Sequence, residues 1–229
     1  MSGPRRLVVA LDGPGSSGKS SVGAAAAQRL GYRFCDTGLL YRAVTWLALE
    51  RGIDVADRGA LVGLVDQIEL APDAAGRLSR VIVGGRDLTD QVRTAAIDER
   101  VSEVARLPEV RAALLPRQRA LAAGGGIIMA GRDIGTVVLP DADLKIFLDA
   151  SVEERARRRA AERGLGPDEP AARRILDELR RRDRLDSNRP VAPLRAAPDA
   201  VHIMTDELDF EETVAAVVAA VRRAAGADR

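Results

Sequence analysis

The glycine-rich loop near the start of the chain restricts the possible folds more than any other feature. The apolar run LVVAL leads into DGPGSSGKSS, and this loop leads into VGAAAAQRL, a pattern that indicates a helix. Residues 13–20 match G-x-x-x-x-G-K-[ST], and strand, loop and helix follow in the order that this pattern requires. In such a loop the glycines let backbone N–H groups cradle phosphate oxygens at a helix N-terminus. The sequence therefore predicts a phosphate-binding loop after a buried strand.

Four further short apolar runs predict the rest of a sheet. They span residues 32–35, 127–130, 144–148 and 201–204, and each ends in a polar or glycine-containing turn. Nearly continuous apolar runs are typical of parallel strands that helices cover on both faces. Together with residues 7–11 they predict an α/β fold with a five-stranded parallel sheet. Asp12, Asp36 and Asp149 follow three of these strands, so ligands are expected at the carboxyl edge of the sheet.

Residues 60–94 interrupt the alternation of strands and helices. The stretch RLSRVIVGGRDLTDQVR predicts two short strands around Gly84 and Gly85, which is a hairpin signal. No internal repeat or low-complexity linker divides the chain. We therefore expect a small β-rich insertion within one α/β domain.

Composition limits the partners and the compartment of the protein. The 229 residues carry a net charge of +1 with 46% apolar and 30% charged residues, which gives no global argument for nucleic acid or membrane. Cys35 is the single cysteine, which excludes an internal disulfide and favours a reducing compartment. The first apolar run is too short for a signal-peptide core or a membrane span. We therefore expect a cytoplasmic protein.

The loop residues predict how a nucleotide is held. Lys19 is one of only two lysines among 35 basic residues, so a compact ammonium group is preferred at this position. It would reach the β- and γ-phosphates, and the Ser20 hydroxyl would bind Mg²⁺. The alternative interpretation is a glycine-rich turn that binds no ligand. The residues predicted to bind ATP are Gly13, Pro14, Gly15, Ser16, Ser17, Gly18, Lys19, Ser20 and Ser21.

The rest of the chain narrows the class of phosphate-binding protein. A GTPase would need an N-K-x-D motif to bind guanine, and Asn precedes neither lysine. A motor or assembly ATPase would need a far longer chain. Small kinases remain, which transfer the γ-phosphoryl group to an acceptor bound across a cleft.

Three further blocks carry a resemblance to a known family. FCDTGLLYR follows the second strand, GRDIGTVV follows the third, and RDRLDSNRPVAPL follows a long basic helix. In this order the blocks resemble those of bacterial cytidylate kinases, and the resemblance runs over essentially the whole chain. It implies ATP as phosphoryl donor, Mg²⁺ as cofactor and CMP or dCMP as acceptor. It also implies a mainly monomeric protein whose partners are small-molecule nucleotides. The near-neutral net charge and the 3% aromatic residues favour no nucleic-acid or membrane partner.

The resemblance assigns a set of residues to the acceptor nucleotide. They are Asp36, Thr37, Arg42, Ser102, Arg111, Arg132, Asp133, Arg182, Asp186 and Arg189. Arg42, Arg111 and Arg132 would bind the acceptor phosphate, because a guanidinium fork matches phosphate oxygens. For Arg111 the alternative is a solvated residue on an exposed helix face. For Arg132 it is a local ion pair with Asp133.

Cytosine recognition needs an acceptor for the exocyclic amine and a donor for the carbonyl oxygen. The resemblance places Ser102, Asp133 and Asp186 near the base, with Arg182 and Arg189 nearby. Asp186 and Arg189 are also spaced i, i+3 on one helix face, so a purely structural ion pair is the alternative interpretation.

A basic helix after Ser151 predicts a lid over the phosphates. The arginines assigned to the lid are Arg155, Arg158 and Arg159. Their crowding is unfavourable in an isolated helix, which favours a polyphosphate partner, and the alternative is a solvated basic face. The predicted single kinase domain has its core over residues 1–35, 95–152 and 186–229. The acceptor-binding region with the β-rich insertion would span residues 36–94, and the lid residues 153–170.

Catalysis is expected to need no general base, because the attacking phosphate oxygen is already anionic. The residues predicted to act in it are Lys19, Arg132, Asp133 and Arg182, through positioning and charge neutralisation. The single histidine, His202, is expected to be a core or sheet residue. The rival interpretations are another small kinase, for adenylate, uridylate or shikimate, and a non-catalytic ATP-binding regulatory protein.

Overall fold

A computed structural model describes residues 6–166 and 169–226 of the chain. Its strands are β1 (Val8–Asp12), β2 (Arg33–Asp36), β3 (Ile68–Pro72), β4 (Leu78–Val83), β5 (Arg86–Asp87), β6 (Ile127–Gly131), β7 (Leu144–Asp149) and β8 (Val201–Met204). Its α-helices are α1 (Lys19–Leu30), α2 (Gly38–Glu50), α3 (Arg58–Leu64), α4 (Ala95–Ala105), α5 (Pro108–Ala122), α6 (Val152–Glu162), α7 (Pro170–Ser187) and α8 (Phe210–Ala224). Within these described ranges, no helix is both long and apolar enough to cross a membrane.

The five apolar runs of the sequence form the predicted parallel sheet. Its order is β2-β6-β1-β7-β8, and β1 pairs with β6 on one side and with β7 on the other. The central position of β1 follows from its apolar composition, because both faces of this strand are covered by helices. The glycine-rich loop after β1 therefore leaves the middle of the carboxyl edge, where open α/β sheets bind ligands.

The predicted β-rich insertion is confirmed and extends the same sheet. β3 and β4 are antiparallel, and β5 pairs with β4 through the two-residue turn of Gly84 and Gly85. Both glycines have positive φ, 56° and 76°, which a two-residue hairpin turn requires and which glycine adopts at little cost. β4 lies beside β2 through one parallel pair, Cys35 with Leu78. The five parallel strands thus lie in a mixed eight-stranded sheet.

Helices cover the two faces of the sheet and form two separate cores. On one face α1 and α8 pack against the strands through residues such as Val22 and Val217. On the other face α2, α4 and α5 pack around residues such as Val44, Val101 and Leu114. Each apolar side chain fully removed from water contributes about 1.5–3 kcal/mol, so these two layers fix the strands that carry the site.

Helices α6 and α7 form a third and much smaller cluster. Ala156 and Ala160 of α6 pack against Ile175 and Leu179 of α7, apart from both large cores. Ser151 caps α6 by accepting a hydrogen bond from the Glu154 N–H, which satisfies one free donor of the first turn. Of the predicted lid, Pro167 and Asp168 lie outside the described residues. Residues 1–5 and 227–229 of the predicted core also lie outside them.

Candidate active site

One cleft of about 980 Å³ runs along the carboxyl edge of the sheet. The glycine-rich loop forms one end, α2 and α4 form the opposite wall, and α6 and α7 lie across it. All ten residues that the resemblance assigned to the acceptor line this cleft, as do residues 15–21 of the loop. The single histidine, His202, lies in β8 with an exposed side chain.

The loop holds its cation close to its own backbone. Lys19 is buried, and its Nζ donates a hydrogen bond to the Pro14 carbonyl oxygen at 2.8 Å. Burial lowers the pKa of Lys19 well below its usual value, and the nearby positive charge of Arg132 lowers it further. Gly13 has no room for a side chain, because a Cβ there would lie 2.1 Å from the Leu148 carbonyl oxygen. The Lys19 amine therefore lies inside the loop, where a bound phosphate would favour its charged form.

A hydroxyl and a carboxylate meet beside this cation. Ser20 Oγ donates to Asp36 Oδ2 at 2.6 Å, and Asp36 Oδ1 accepts from the Gly38 N–H at 3.0 Å. Among the residues that the structure describes, no group of three or more His, Cys, Asp or Glu side chains is placed to hold a metal. An oxygen pair of this kind suits Mg²⁺, which uses one or two protein oxygens and takes its other ligands from phosphates and water.

A buried ion pair forms the acceptor end of the cleft. Arg111 donates to the Asp133 carboxylate, and their side chains are only 7% and 6% exposed. Arg189 Nη2 lies 3.9 Å from the other oxygen of Asp133. The Arg111 guanidinium also stacks over the Tyr41 ring, 5.2 Å from its centre. Ser102 is also a buried residue of the cleft lining. Arg111 is thus a buried residue of the cleft lining and not a solvated surface residue.

A second ion pair joins the two sides of the cleft. Arg132 Nε lies 3.0 Å from Asp186 Oδ2, so Arg132 does not pair with its neighbour in sequence. Burial alone would raise the pKa of Asp186, but the three arginines Arg132, Arg182 and Arg189 outweigh burial and hold it below its usual value. Burial, and after it the positive charge of Arg132, lowers the pKa of Arg182 to about 10. The cleft thus concentrates positive charge beside the loop.

The turn after β6 carries Arg132 and Asp133 into the cleft, and Asp12 holds this turn. Asp12 Oδ1 accepts from the Ile134 N–H at 2.8 Å, and Oδ2 accepts from the Gly135 N–H at 2.7 Å. Burial raises the pKa of Asp12 to about 6, although both backbone donors act in the opposite direction. Asp12 ends the strand before the phosphate loop, so it joins the donor and acceptor ends of the cleft. The sequence indicated its place but not this contact.

Asp98 on α4 is a cleft residue that sequence reasoning missed. Its carboxylate accepts from Arg42, and it lies 3.0 Å from Arg159 Nη2 and 3.8 Å from Arg182 Nη1. Arg42 also donates to the Val92 carbonyl oxygen at 3.1 Å. The only local signal for Asp98 is an acid in the first turn of a helix, which is common and does not indicate a site.

The predicted lid arginines divide into two groups. Arg158 and Arg159 line the cleft, and Arg158 reaches Thr205 beyond the end of β8. Arg155 is instead buried outside the cleft lining. It donates to the Gly15 carbonyl oxygen at 2.9 Å and pairs with Asp183 at 2.5 Å. Arg155 therefore ties α6 and α7 to the phosphate loop, and its predicted contact with ATP phosphates stays a prediction.

Comparison with known proteins agrees with this geometry. The family model for cytidylate kinase matches residues 9–223. A cytidylate kinase of Geobacillus kaustophilus (strain HTA426) is 50% identical over 97% of this chain and 99% of its own. One from Pelotomaculum thermopropionicum is 46% identical over 93% and 95%. A solved structure of an uncharacterized protein from Eubacterium ventriosum ATCC 27560, 10% identical with a TM-score of 0.51 over 93% of this chain and 97% of that one, supports the fold alone. The chain belongs to the cytidylate kinase family.

Proposed function

We propose that this protein transfers the γ-phosphoryl group of ATP to CMP or dCMP, giving ADP and CDP or dCDP. One observation carries the proposal. A phosphate-binding loop and a buried arginine–carboxylate network, with Arg111 and Asp133 at its far end, open into the same cleft. A donor phosphate and a polar acceptor base can therefore bind at opposite ends, with the transferred group between them.

The loop at one end suits the donor nucleotide. Its backbone N–H groups and the Lys19 ammonium would bind the β- and γ-phosphates, and phosphate oxygens would take over the hydrogen bond that Lys19 now gives to Pro14. Ser20 and Asp36 are the oxygen donors that would hold Mg²⁺. When bound, Mg²⁺ neutralises the charge that develops on the β- and γ-phosphate oxygens. Family membership supports ATP as the donor, and the oxygen pair supports the metal.

The middle of the cleft suits the acceptor phosphate. Arg42, Arg132 and Arg182 converge there from α2, the turn after β6 and α7. A nucleoside monophosphate carries a charge of about −2, and arginine binds phosphate through paired hydrogen bonds. Asp98 and Asp186 neutralise only part of this positive charge. We therefore assign the acceptor phosphate to these three arginines, and we assign Arg111, which the resemblance also gave to this phosphate, to the base.

The far end suits cytosine more than uracil. The exocyclic amine of cytosine donates hydrogen bonds, and the Asp133 carboxylate accepts them, whereas uracil presents a carbonyl oxygen at that position. Arg111 and Ser102, which both line the cleft, can donate to the acceptor atoms of the base. Because the Asp133 carboxylate is buried, water does not screen its repulsion of a uracil carbonyl oxygen placed against it. This contrast supports a preference for CMP over UMP.

In the reaction, an oxygen of the acceptor phosphate attacks the γ-phosphorus. The new oxygen–phosphorus bond forms as the bond to the bridging oxygen of ADP breaks, and no proton needs to be removed from the acceptor. Lys19, Arg132 and Arg182 neutralise charge on the transferred group, while the arginine network and Asp133 orient the acceptor. Helices α6 and α7 would act as the lid that excludes water. We further propose that the protein is a cytoplasmic monomer with nucleotides as its ligands.

The test is a panel of acceptors. ADP release is followed with ATP and Mg²⁺ in the presence of CMP, dCMP, UMP, AMP or shikimate, and with no acceptor. The proposal expects strong turnover with CMP and dCMP, and its loss in a Lys19→Ala variant. Turnover with another acceptor would keep a kinase and refute the acceptor assignment. Nucleotide binding without turnover would indicate an ATP-binding regulatory protein.

A further inference from the structure

One carboxylate in the cleft holds three arginines from three different elements. Asp98 of α4 accepts from Arg42 of α2, and it lies 3.0 Å from Arg159 Nη2 of α6 and 3.8 Å from Arg182 Nη1 of α7. Its own side chain is half-buried, at 19% exposure. One negative charge among three guanidinium groups leaves the group positive, so the cluster can still attract a phosphate.

The three arginines belong to helices of two different hydrophobic clusters. α2 and α4 belong to a large core that contains Val44, Ile97 and Val101. α6 and α7 pack on each other through the small cluster around Ala156 and Leu179. A contact between α4 and α6 therefore depends on charged side chains and not on a shared apolar core. Asp98 is the residue on which that contact converges.

We propose that Asp98 is a positioning residue that couples acceptor binding to the lid. Through Arg42 and Arg182 it orients two groups of the acceptor phosphate site, and through Arg159 it holds the lid helix α6 against the acceptor wall. This inference rests on the proposed phosphoryl transfer to CMP. An acceptor that orders the arginines around Asp98 also orders α6, and α6 borders the donor site.

The neighbouring contacts predict what happens without the charge of Asp98. Arg159 Nη1 lies 3.1 Å from Glu162 on its own helix, so it stays satisfied when it leaves α4. Arg42 keeps its hydrogen bond to the Val92 carbonyl oxygen. Neutralising Asp98 therefore removes the ion pair between α6 and α4, while α7 keeps its own contact with the cleft through Arg132 and Asp186. The expected defect lies in the coupling between the two nucleotides.

Binding measurements with an unreactive donor test this inference. Titration calorimetry gives the Kd of CMP alone and in the presence of Mg²⁺ and a non-hydrolysable ATP analogue. Linkage requires that each ligand changes the affinity of the other by the same factor. In the wild-type protein we expect the analogue to tighten CMP binding about fivefold or more, the usual lower range of such coupling. In Asp98→Asn and in Arg159→Gln we expect a factor near one.

A matched control lies on the same helix. Glu103 of α4 is outside the cleft lining, so Glu103→Gln is expected to keep the wild-type coupling factor. The Asp98→Asn and Arg159→Gln effects on kcat/KM are also expected to be non-additive, because the two residues share one interaction. If Asp98→Asn does not fold, the Arg159→Gln variant alone tests the inference. This variant is expected to fold because the Arg159 side chain is only partly buried and borders solvent.

Failure of the inference and failure of the proposed function are distinguishable. A wild-type protein that does not phosphorylate CMP refutes the function. A wild-type protein that phosphorylates CMP, with a coupling factor near one or with a factor that Arg159→Gln leaves unchanged, overturns only the role of Asp98. Loss of coupling in both variants, with Glu103→Gln unchanged, supports it.

Discussion

Replacing Asp133 by asparagine removes one charge from a buried ion pair while keeping the shape of the side chain. Arg111 donates directly to Asp133, and Arg189 Nη2 lies 3.9 Å away. The side chains of Arg111 and Asp133 are 7% and 6% exposed, so water has little access to solvate the Arg111 guanidinium when the charge of Asp133 is removed. Asp133→Asn therefore removes the carboxylate to which Arg111 donates, and Asp186 is left as the acid near Arg111 and Arg189.

The expected loss of stability follows from this burial. Removing one partner of a buried ion pair costs about 3–5 kcal/mol, and we expect the lower value because the asparagine oxygen still accepts a hydrogen bond. With a slope of about 3 kcal/mol per molar urea for a domain of this size, the unfolding midpoint falls by about 1 M. A double variant, Arg111→Met with Asp133→Leu, should recover most of this loss, because apolar side chains of similar volume need no partner.

Urea unfolding and steady-state kinetics together test this reasoning. The double variant is expected to fold well and to phosphorylate no nucleotide, whereas Asp133→Asn should change base preference. An amide can donate to the carbonyl oxygen of uracil, so the ratio of kcat/KM for CMP over UMP is expected to fall at least about tenfold. A midpoint within about 0.2 M of wild type, together with an unchanged ratio, would refute the assignment of Asp133 to a buried base-binding pair.

Four further variants test other parts of the structure. Asp12 has a pKa raised from 3.8 to about 6 in the folded protein, so its ionisation opposes folding as the pH rises through this range. A shift of two pKa units corresponds to about 3 kcal/mol in the free energy of unfolding. Between pH 4 and pH 7 the wild type should lose this stability relative to Asp12→Asn, as measured by urea unfolding. Parallel pH profiles of the two proteins would contradict this. A Cβ at Gly23 would lie 2.7 Å from the Phe34 ring, so Gly23→Ala should destabilise by about 1–3 kcal/mol in the same measurement. Gly63→Ala has nothing within 4 Å and should stabilise by about 0.5–1 kcal/mol. Arg155→Gln removes a charged hydrogen bond to the phosphate loop, so the KM for ATP should rise about tenfold while the KM for CMP stays near wild type.

The parts of the fold that sequence predicts best are those with local signals. β1 and its loop combine an apolar run, a fixed glycine spacing and a following helix, and all three appear as predicted. The turn at Gly84 and Gly85 is also local, because two adjacent glycines suit the positive φ values of a two-residue hairpin. The pairing of Cys35 with Leu78, which joins the insertion to the main sheet, depends on residues far apart in sequence. No local pattern specifies such an edge.

The arginines of the site are also predicted only in part from local sequence. Their number and spacing predict an anion-binding cleft, but a helical arginine can point toward solvent, a carbonyl or a carboxylate. Arg155 turns toward Gly15 and Asp183, while Arg159, one turn later, reaches Asp98. The partner that each arginine contacts depends on which helices pack together, so the sequence spacing alone does not distinguish the contacts of Arg155 from those of Arg159. Asp98 was missed for the same reason.

The destination of the γ-phosphoryl group tests the central claim most directly. The protein is incubated with Mg²⁺, CMP and ATP labelled in the γ-phosphate, and the labelled products are separated over time, with a Lys19→Ala variant alongside. The account predicts that label appears in CDP, with little inorganic phosphate, and that the variant transfers almost none. Label released mainly as inorganic phosphate, or equal transfer by the Lys19→Ala variant, would contradict phosphoryl transfer from this loop to CMP.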